Sequence, residues 1–233
     1  MKMLVIPDVH LKPWIFDRAN EIMANSDCER AVVLGDIADD WGMQGDISLY
    51  EETFKKALEF AKKYPDTLWC YGNHDLAYLW DKYDHPGFSP RAKSVVCEYL
   101  NSLEGVVDLT MMHRVDNVIF SHAGLTKEFV DYYLAGYADD VDALVDAVNR
   151  ADRAVLWDDI SPLWARPQYN YVEGDMYPSG VLQVVGHTPV RKITDQGELL
   201  TTDVFSTDRI GRPIGTEEFC LVDTVSKEWE VIE

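Results

Sequence analysis

The chain has 233 residues, 47% of them hydrophobic, enough to fill one large core, so a single domain over 1–233 is the economical reading. Its 41 acidic against 21 basic residues give a net charge of -20, which repels phosphate backbones and argues against duplex nucleic acid as a partner. No apolar run approaches the roughly 20 residues of a membrane span, and Met1 to Ile6 is too short for a signal segment. Cys28, Cys70, Cys97 and Cys220 lack CxxC spacing; reduced thiols, a cytoplasmic location and no membrane partner are therefore expected.

In chain order, Leu4-Val5-Ile6 reads as a strand that runs into Asp8 and His10, two residues apart and able to point the same way. Trp14 to Glu29 carries Ile15, Phe16, Ala19, Ile22 and Met23 as a helical apolar stripe. Ala31 to Leu34 is a second strand, closing on Gly35-Asp36 with Asp39 three residues further on. A helix is expected from Ser48, where Ser48-x-x-Glu51 spells a capping box. Thr67 to Tyr71 is a third strand, ending in Gly72-Asn73-His74-Asp75 before an apolar stretch from Leu76 that starts a helix. A loop over 83–89 precedes a helix expected from Ser89-Pro90 to Leu103, stopped by Gly105.

Val106 to Val115 and Val118 to Ser121, joined by Asp116-Asn117, suggest a hairpin whose second strand ends in His122. Helices are expected at Lys127 to Leu134 and Asp139 to Asp152. Leu182 to Val185 is a strand ending in Gly186-His187, and the tail alternates like antiparallel strands at 199–204, 218–223 and 228–232. One event recurs five times: a strand that stops on polar side chains. In open α/β folds such carboxyl edges form the clefts.

Those edges contribute Asp8, His10, Asp36, Asn73, His122 and His187, with His74 and Asp39 beside them. Imidazole, carboxylate and amide oxygen together suit Mn, Fe or Zn better than Mg or Ca, and a central carboxylate such as Asp36 can bridge two ions. Two ions roughly 4 Å apart form a clamp for in-line phosphoryl displacement, and a hydroxide between them is a nucleophile at neutral pH. Four of the six histidines fall at strand ends; His85 and His113 are read as structural.

Asp8-Val9-His10, Gly35-Asp36-Ile37-Ala38-Asp39, Gly72-Asn73-His74-Asp75, Ser121-His122-Ala123-Gly124 and Gly186-His187-Thr188 together resemble the five ordered motifs of the calcineurin-like metallophosphoesterases. The chain is most similar to their phosphoprotein-phosphatase branch with its bacterial and phage relatives, which includes dinucleoside-tetraphosphate hydrolases. The resemblance implies an α/β fold with a central β-sandwich flanked by helices, and a dinuclear centre at one rim. It also implies that Asp8 and His10 hold one metal, Asp36 bridges, and Asn73, His122 and His187 hold the other. His74 would protonate the leaving alkoxide and Asp39 would orient its ring. Two divalent ions, Mn in first place with Fe or Zn as options, are the implied cofactors.

The match departs in two places. The branch has an arginine after the motif's second aspartate, where this chain has Asp40, and Gly-Asn-His-Glu is here Gly-Asn-His-Asp. Ser161-Pro162-Leu163-Trp164-Ala165-Arg166 resembles a segment of the bacterial branch whose arginine contacts phosphate, so Arg166 is the candidate phosphate ligand, against a structural salt bridge. Arg91 and Arg191 are weaker candidates. The aromatic stretch 157–177 reads as a packed surface loop or as a rim that selects substrate. The expected function is hydrolysis of phosphate monoesters, phosphoserine or phosphothreonine first, on a phosphorylated protein or small molecule. Cleavage of dinucleoside polyphosphates is the alternative, and a non-catalytic binding module is disfavoured because no ligand is missing.

Overall fold

The computed structural model describes residues 1–83 and 85–232 of the chain; Asp84, inside the expected 83–89 loop, lies outside them. The first half runs β1 (Lys2–Ile6), α1 (Trp14–Asn25), β2 (Arg30–Val33), α2 (Ile47–Lys63), β3 (Leu68–Cys70), α3 (Asn73–Leu79), α4 (Lys93–Glu104) and β4 (Asp108–Thr110). The second half has β5 (Met112–Val115), β6 (Val118–Ser121), α5 (Lys127–Phe129), α6 (Val141–Asn149), α7 (Arg153–Leu156), β7 (Leu182–Val185), β8 (Thr194–Asp195), β9 (Leu199–Thr201), β10 (Phe219–Asp223) and β11 (Trp229–Ile232).

These strands form two sheets, ordered β11-β10-β1-β2-β3-β4 and β5-β6-β7-β9-β8. β1 to β4 are parallel, with Leu4 opposite Ala31 and Val32 opposite Leu68. β6, β7 and β9 are parallel in the second sheet. Antiparallel strands close the remaining edges. A parallel strand covered on both faces needs an unbroken apolar run, and Met3 to Ile6 is fully buried.

Alternation along β6 explains the layering. Val118 and Phe120 join one core with Leu4, Ile6, Val33 and Trp69 of the first sheet, whereas Ile119 faces a second core with Phe129, Leu144 and Val148. The two sheets thus face each other, and α5 to α7 cover the outer face of the second. On the first sheet's side, Phe16 of α1 stacks on Trp69 at 5.9 Å and packs against Phe60 of α2. This is the expected α/β architecture, two sheets flanked by helices.

Several boundaries differ from expectation. The helix from Trp14 ends at Asn25 rather than Glu29, because Ser26 donates its N–H and hydroxyl to Ile22 O and turns the chain. α2 starts at Ile47: Asp46, not Ser48, is the cap, accepting the Leu49 N–H at 3.2 Å and the Ser48 hydroxyl at 2.6 Å. α4 starts at Lys93, because Ser89 closes a turn instead: its O and its hydroxyl oxygen both accept the Ala92 N–H while the hydroxyl donates to Gln44 O. The stretch 106–115 is two strands in different sheets, and only Met112–Val115 forms the hairpin with β6. Val130–Leu134 continues α5 as a wider π-type turn, and Val141–Asn149 is shorter than the helix expected there.

The Ser48 hydroxyl, and then the Leu49 N–H, hold the Asp46 carboxyl below its usual range. A folded-state pKa below the unfolded value of ~3.9 stabilises above that pH and is lost as pH falls through the folded value. Asp46→Ala should therefore lower the thermal midpoint at pH 7, with the gap to wild type narrowing below pH ~4 in a circular-dichroism melt. A gap independent of pH would show that the cap does not work through its charge.

Candidate metal centre

Asp8 follows β1, Asp36 follows β2, Asn73 opens α3 directly after β3, His122 follows β6 and His187 follows β7. β1, β2 and β3 run parallel in one sheet and β6 and β7 in the other, so within each sheet the carboxyl ends share one edge. α3 begins at Asn73, earlier than the expected Leu76, which puts Asn73 and His74 in its first turn. The backbone is strained here. His10, Asp36, Asp39 and His187 have φ of 43°, 48°, 63° and 60°, each costing on the order of 1–3 kcal/mol for a residue with a Cβ. Two glycines admit the close approach: a Cβ at Gly72 would lie 2.0 Å from Asp36 Oδ1, and one at Gly186 2.2 Å from Asp8 Oδ1.

Asp36 Oδ2 is the point of convergence. His122 Nε2 lies 3.4 Å away, His10 Nε2 3.8 Å and His74 Nε2 4.0 Å. His10 Nδ1 donates to Asp39 O at 2.8 Å and His122 Nδ1 to Leu34 O at 2.9 Å, which turns both Nε2 atoms toward the cluster. His122 Nε2 also meets Asn73 Oδ1 at 2.9 Å and His187 Nδ1 at 3.0 Å, while buried His187 Nε2 has no partner. One nitrogen cannot satisfy so many acceptors with a proton; a cation among them can. Asp8 accepts the His187 N–H on both oxygens, at 2.7 and 2.9 Å, and joins His10 and Asp36 in a second compact group. The donor set therefore fits metal ions at two adjacent places, Asp8-His10-Asp36 and Asp36-His122-His187 with Asn73.

The protonation pattern reflects the same crowding. Burial would raise the Asp36 pKa, but the charges of His122, His74 and His10 hold it well below its ordinary value. Burial would lower that of His122, yet Asp36 and then Asp8 push it up to about 9. Burial, with His122 and Arg166 nearby, keeps His187 far below its usual value and hence neutral. Burial and the neighbouring Asp203 carboxylate raise Asp8. The same buried carboxylates and imidazoles thus shift one another's pKa values in opposite directions.

Beside the cluster, His74 Nδ1 lies 3.1 Å from Asp39 Oδ2. Burial opposes ionisation of Asp39, but hydrogen bonds from His74, His85 and Tyr50 outweigh it and bring its pKa to about 2. Asp75, standing where the branch has glutamate, accepts the N–H groups of Ile37, Ala38 and Gly72 and so ties the Asp36 loop to α3. Burial and the Asp36 charge push its pKa up to about 7 against those donors.

Two residues that the sequence reading did not assign to the site belong to this region: His85, read there as structural, and Asp203, within the strand expected at 199–204. His85 Nε2 lies 3.1 Å from Asp39 Oδ2, making Asp39, His74 and His85 a third compact group. Asp203 is buried after β9 and accepts the Ser206 N–H and hydroxyl at 3.2 and 2.8 Å. His113, by contrast, is fixed by Trp69 O at 2.9 Å, consistent with a structural role.

The centre opens into a cavity of about 250 Å³, walled by Trp41, His85, Trp164, Arg166 and Pro189 among others; neither Arg91 nor Arg191 lines it. Arg166 donates to His187 O at 3.0 Å and, among the described residues, has no carboxylate in ion-pair range, so the salt-bridge alternative finds no partner. Asp40 is paired with Lys12 Nζ at 3.1 Å and accepts the Thr207 hydroxyl. Of the 157–177 stretch, Trp164 and Arg166 reach the cavity while Trp157 packs on Trp80, Tyr83 and Trp164.

The calcineurin-like phosphoesterase family model matches residues 1–211, and the chain belongs to that family. Its members act on phosphoesters and typically bind two divalent metals, and the ligand groups above are candidates for them. A protein serine/threonine phosphatase from Saccharomyces cerevisiae is similar in fold, with 15% identity, coverage of 95% of this chain and 72% of that one, and a TM-score of 0.57. A metallophosphoesterase from Sphaerobacter thermophilus has 14% identity over 100% of this chain and 88% of that one, at a TM-score of 0.47. An archaeal phosphodiesterase has 13% identity, with 100% and 99% coverage and a TM-score of 0.37. No curated protein matches. No helix among the described residues is long and apolar enough to cross a membrane.

Gly72→Ala forces a methyl onto Asp36 and should destabilise the fold by about 1–3 kcal/mol while lowering metal content. Gly136→Ala, where an added Cβ meets nothing within 4 Å, is the control. Denaturant melts with elemental analysis check both, and equal behaviour of the two variants would remove the steric argument.

Proposed function

We propose that the protein hydrolyses phosphate monoesters, phosphoserine or phosphothreonine first among them, using two divalent ions, Mn before Fe or Zn. The observation that carries this reading is the convergence of His10, His74 and His122 on the single oxygen Asp36 Oδ2. Asp8 and His10 would hold one ion, Asn73, His122 and His187 the other, and Asp36 both. Such a pair, when bound, supplies Lewis-acid activation of water and of the phosphoryl group.

The chain's own residues supply the rest. His74 gives a proton to the leaving oxygen as its bond to phosphorus breaks, so no free alkoxide departs. Asp39 accepts the His74 Nδ1–H, which leaves Nε2 as the nitrogen facing the cluster. Arg166, held by His187 O and Thr188 Oγ1, keeps further N–H donors for phosphoryl oxygens at the cavity wall. Cleavage of dinucleoside polyphosphates is the second reading, favoured by Trp41 and Trp164 in the cavity wall, whose rings offer surfaces for a base.

His74→Ala should keep its metals and lose roughly 10²–10⁴ in rate on alkyl phosphates. It should lose little on a phenyl ester activated as a leaving group; equal losses on both would remove His74 as the acid. Asp36→Asn should reduce the content of both ions, and full occupancy by elemental analysis would contradict a shared ligand. A Mn-supplemented panel of phosphopeptide, phosphodiester and dinucleoside polyphosphate decides between the two readings by relative kcat/KM.

A further inference from the structure

Asp39 has four donors around it, one of them from a histidine that the proposed chemistry leaves without a task. The hydroxyls of Tyr50 and Tyr78 donate to Oδ1. His74 Nδ1 and His85 Nε2 each stand 3.1 Å from Oδ2. The His85 side chain is only 3% exposed, and its Nδ1 accepts the Gly87 N–H at 3.1 Å. An imidazole that accepts on Nδ1 carries its proton on Nε2. That N–H stands beside the Asp39 carboxylate, close enough to donate to it but not aligned in a hydrogen bond. Apo geometry of this kind commonly tightens when substrate binds.

The two rings also pack on each other, with centroids 3.7 Å apart at 60°. Gly87 lies against both, since a Cβ there would come 3.1 Å from His74 Cε1 and 3.2 Å from His85 Cε1. We propose that His85 is a positioning residue for the His74 acid: its Nε2–H fixes Asp39 Oδ2, and its ring limits rotation of the His74 imidazole. The inference rests on the reading of His74 given above. No proton passes through His85. A metal ion on Nε2 would need the proton on Nδ1, facing the Gly87 N–H donor against donor, so the hydrogen-bond role fits better than a third metal site.

The test compares kcat and KM on an alkyl phosphate and on p-nitrophenyl phosphate for wild type, His85→Phe, His85→Gln, His74→Ala and the His74→Ala/His85→Phe double variant, with metal content measured throughout. His85→Phe should keep KM and metal content and lose about tenfold in kcat on the alkyl ester only, the size of one charge-assisted hydrogen bond. His85→Gln, which retains an N–H donor, should recover part of that loss. In the His74→Ala background, His85→Phe should cost nothing further, because both act through one group. Unchanged alkyl kinetics, equal loss on both esters, additive loss in the double variant, or loss of a metal equivalent would each overturn the proposal. Should His85→Phe fail to fold, His85→Asn, too short to reach Asp39, removes the donor and the ring together and should lose at least as much, again on the alkyl ester only. Failure of the His74 reading shows separately, as a His74→Ala loss equal on both esters.

Discussion

The molecule is arranged around one buried carboxylate. Asp36 is 2% exposed and sits at a positive φ, and three imidazoles converge on its Oδ2. A lone charge in that position would be costly, because burial in a low dielectric disfavours it by several kcal/mol. The histidines around it compensate only while they carry charge, and their own burial opposes that. The arrangement is self-consistent when further positive charge is shared among these groups, which is the electrostatic demand of a cation site.

The two-sheet fold meets this demand with short reach. Parallel strands β1, β2 and β3 end side by side, and β6 and β7 end side by side across the interface. Cys70 Sγ on β3 stands 3.6 Å from Phe120 O on β6, so the sheets meet immediately behind the site. Ligands from both sheets can then approach one point without long loops, whose ordering would cost conformational entropy. The residual cost appears as left-handed backbone at His10, Asp36, Asp39 and His187 and as the absence of a Cβ at Gly72 and Gly186.

How much of this can be read from sequence depends on how each residue arrives. Ile6, Val33, Cys70, Ser121 and Val185 end buried strands, so an apolar run that stops on Asp, Asn or His is visible without any coordinates. His85 arrives from an irregular segment, where periodicity carries no information, and Asp203 lies beyond the end of β9, which stops at Thr201 and pairs parallel with β7, so the antiparallel strand expected at 199–204 hides it. The break at Met111 is hidden for a related reason: residues on both sides are apolar, and a strand's period does not record a change of sheet. Asp46 and Ser48 both suit a helix cap, and the choice is made by geometry, since Ser48 donates to Asp46. The absent arginine after Asp39 was evident from sequence, but its electrostatic consequence was not, because Lys12 meets Asp40 only in the folded chain.

That Lys12–Asp40 pair bears on how a dianion would approach. Asp40 in the cavity wall is already neutralised by Lys12, whereas Arg166 in the same wall has no acidic partner among the described residues. Under the proposed function a phosphate would meet that guanidinium and the bound ions at short range, while the net charge of -20 repels it at longer range. Salt shortens that long-range repulsion to about 8 Å at physiological ionic strength but screens a partly enclosed guanidinium much less. Added salt would therefore weaken the long-range repulsion more than the local attraction.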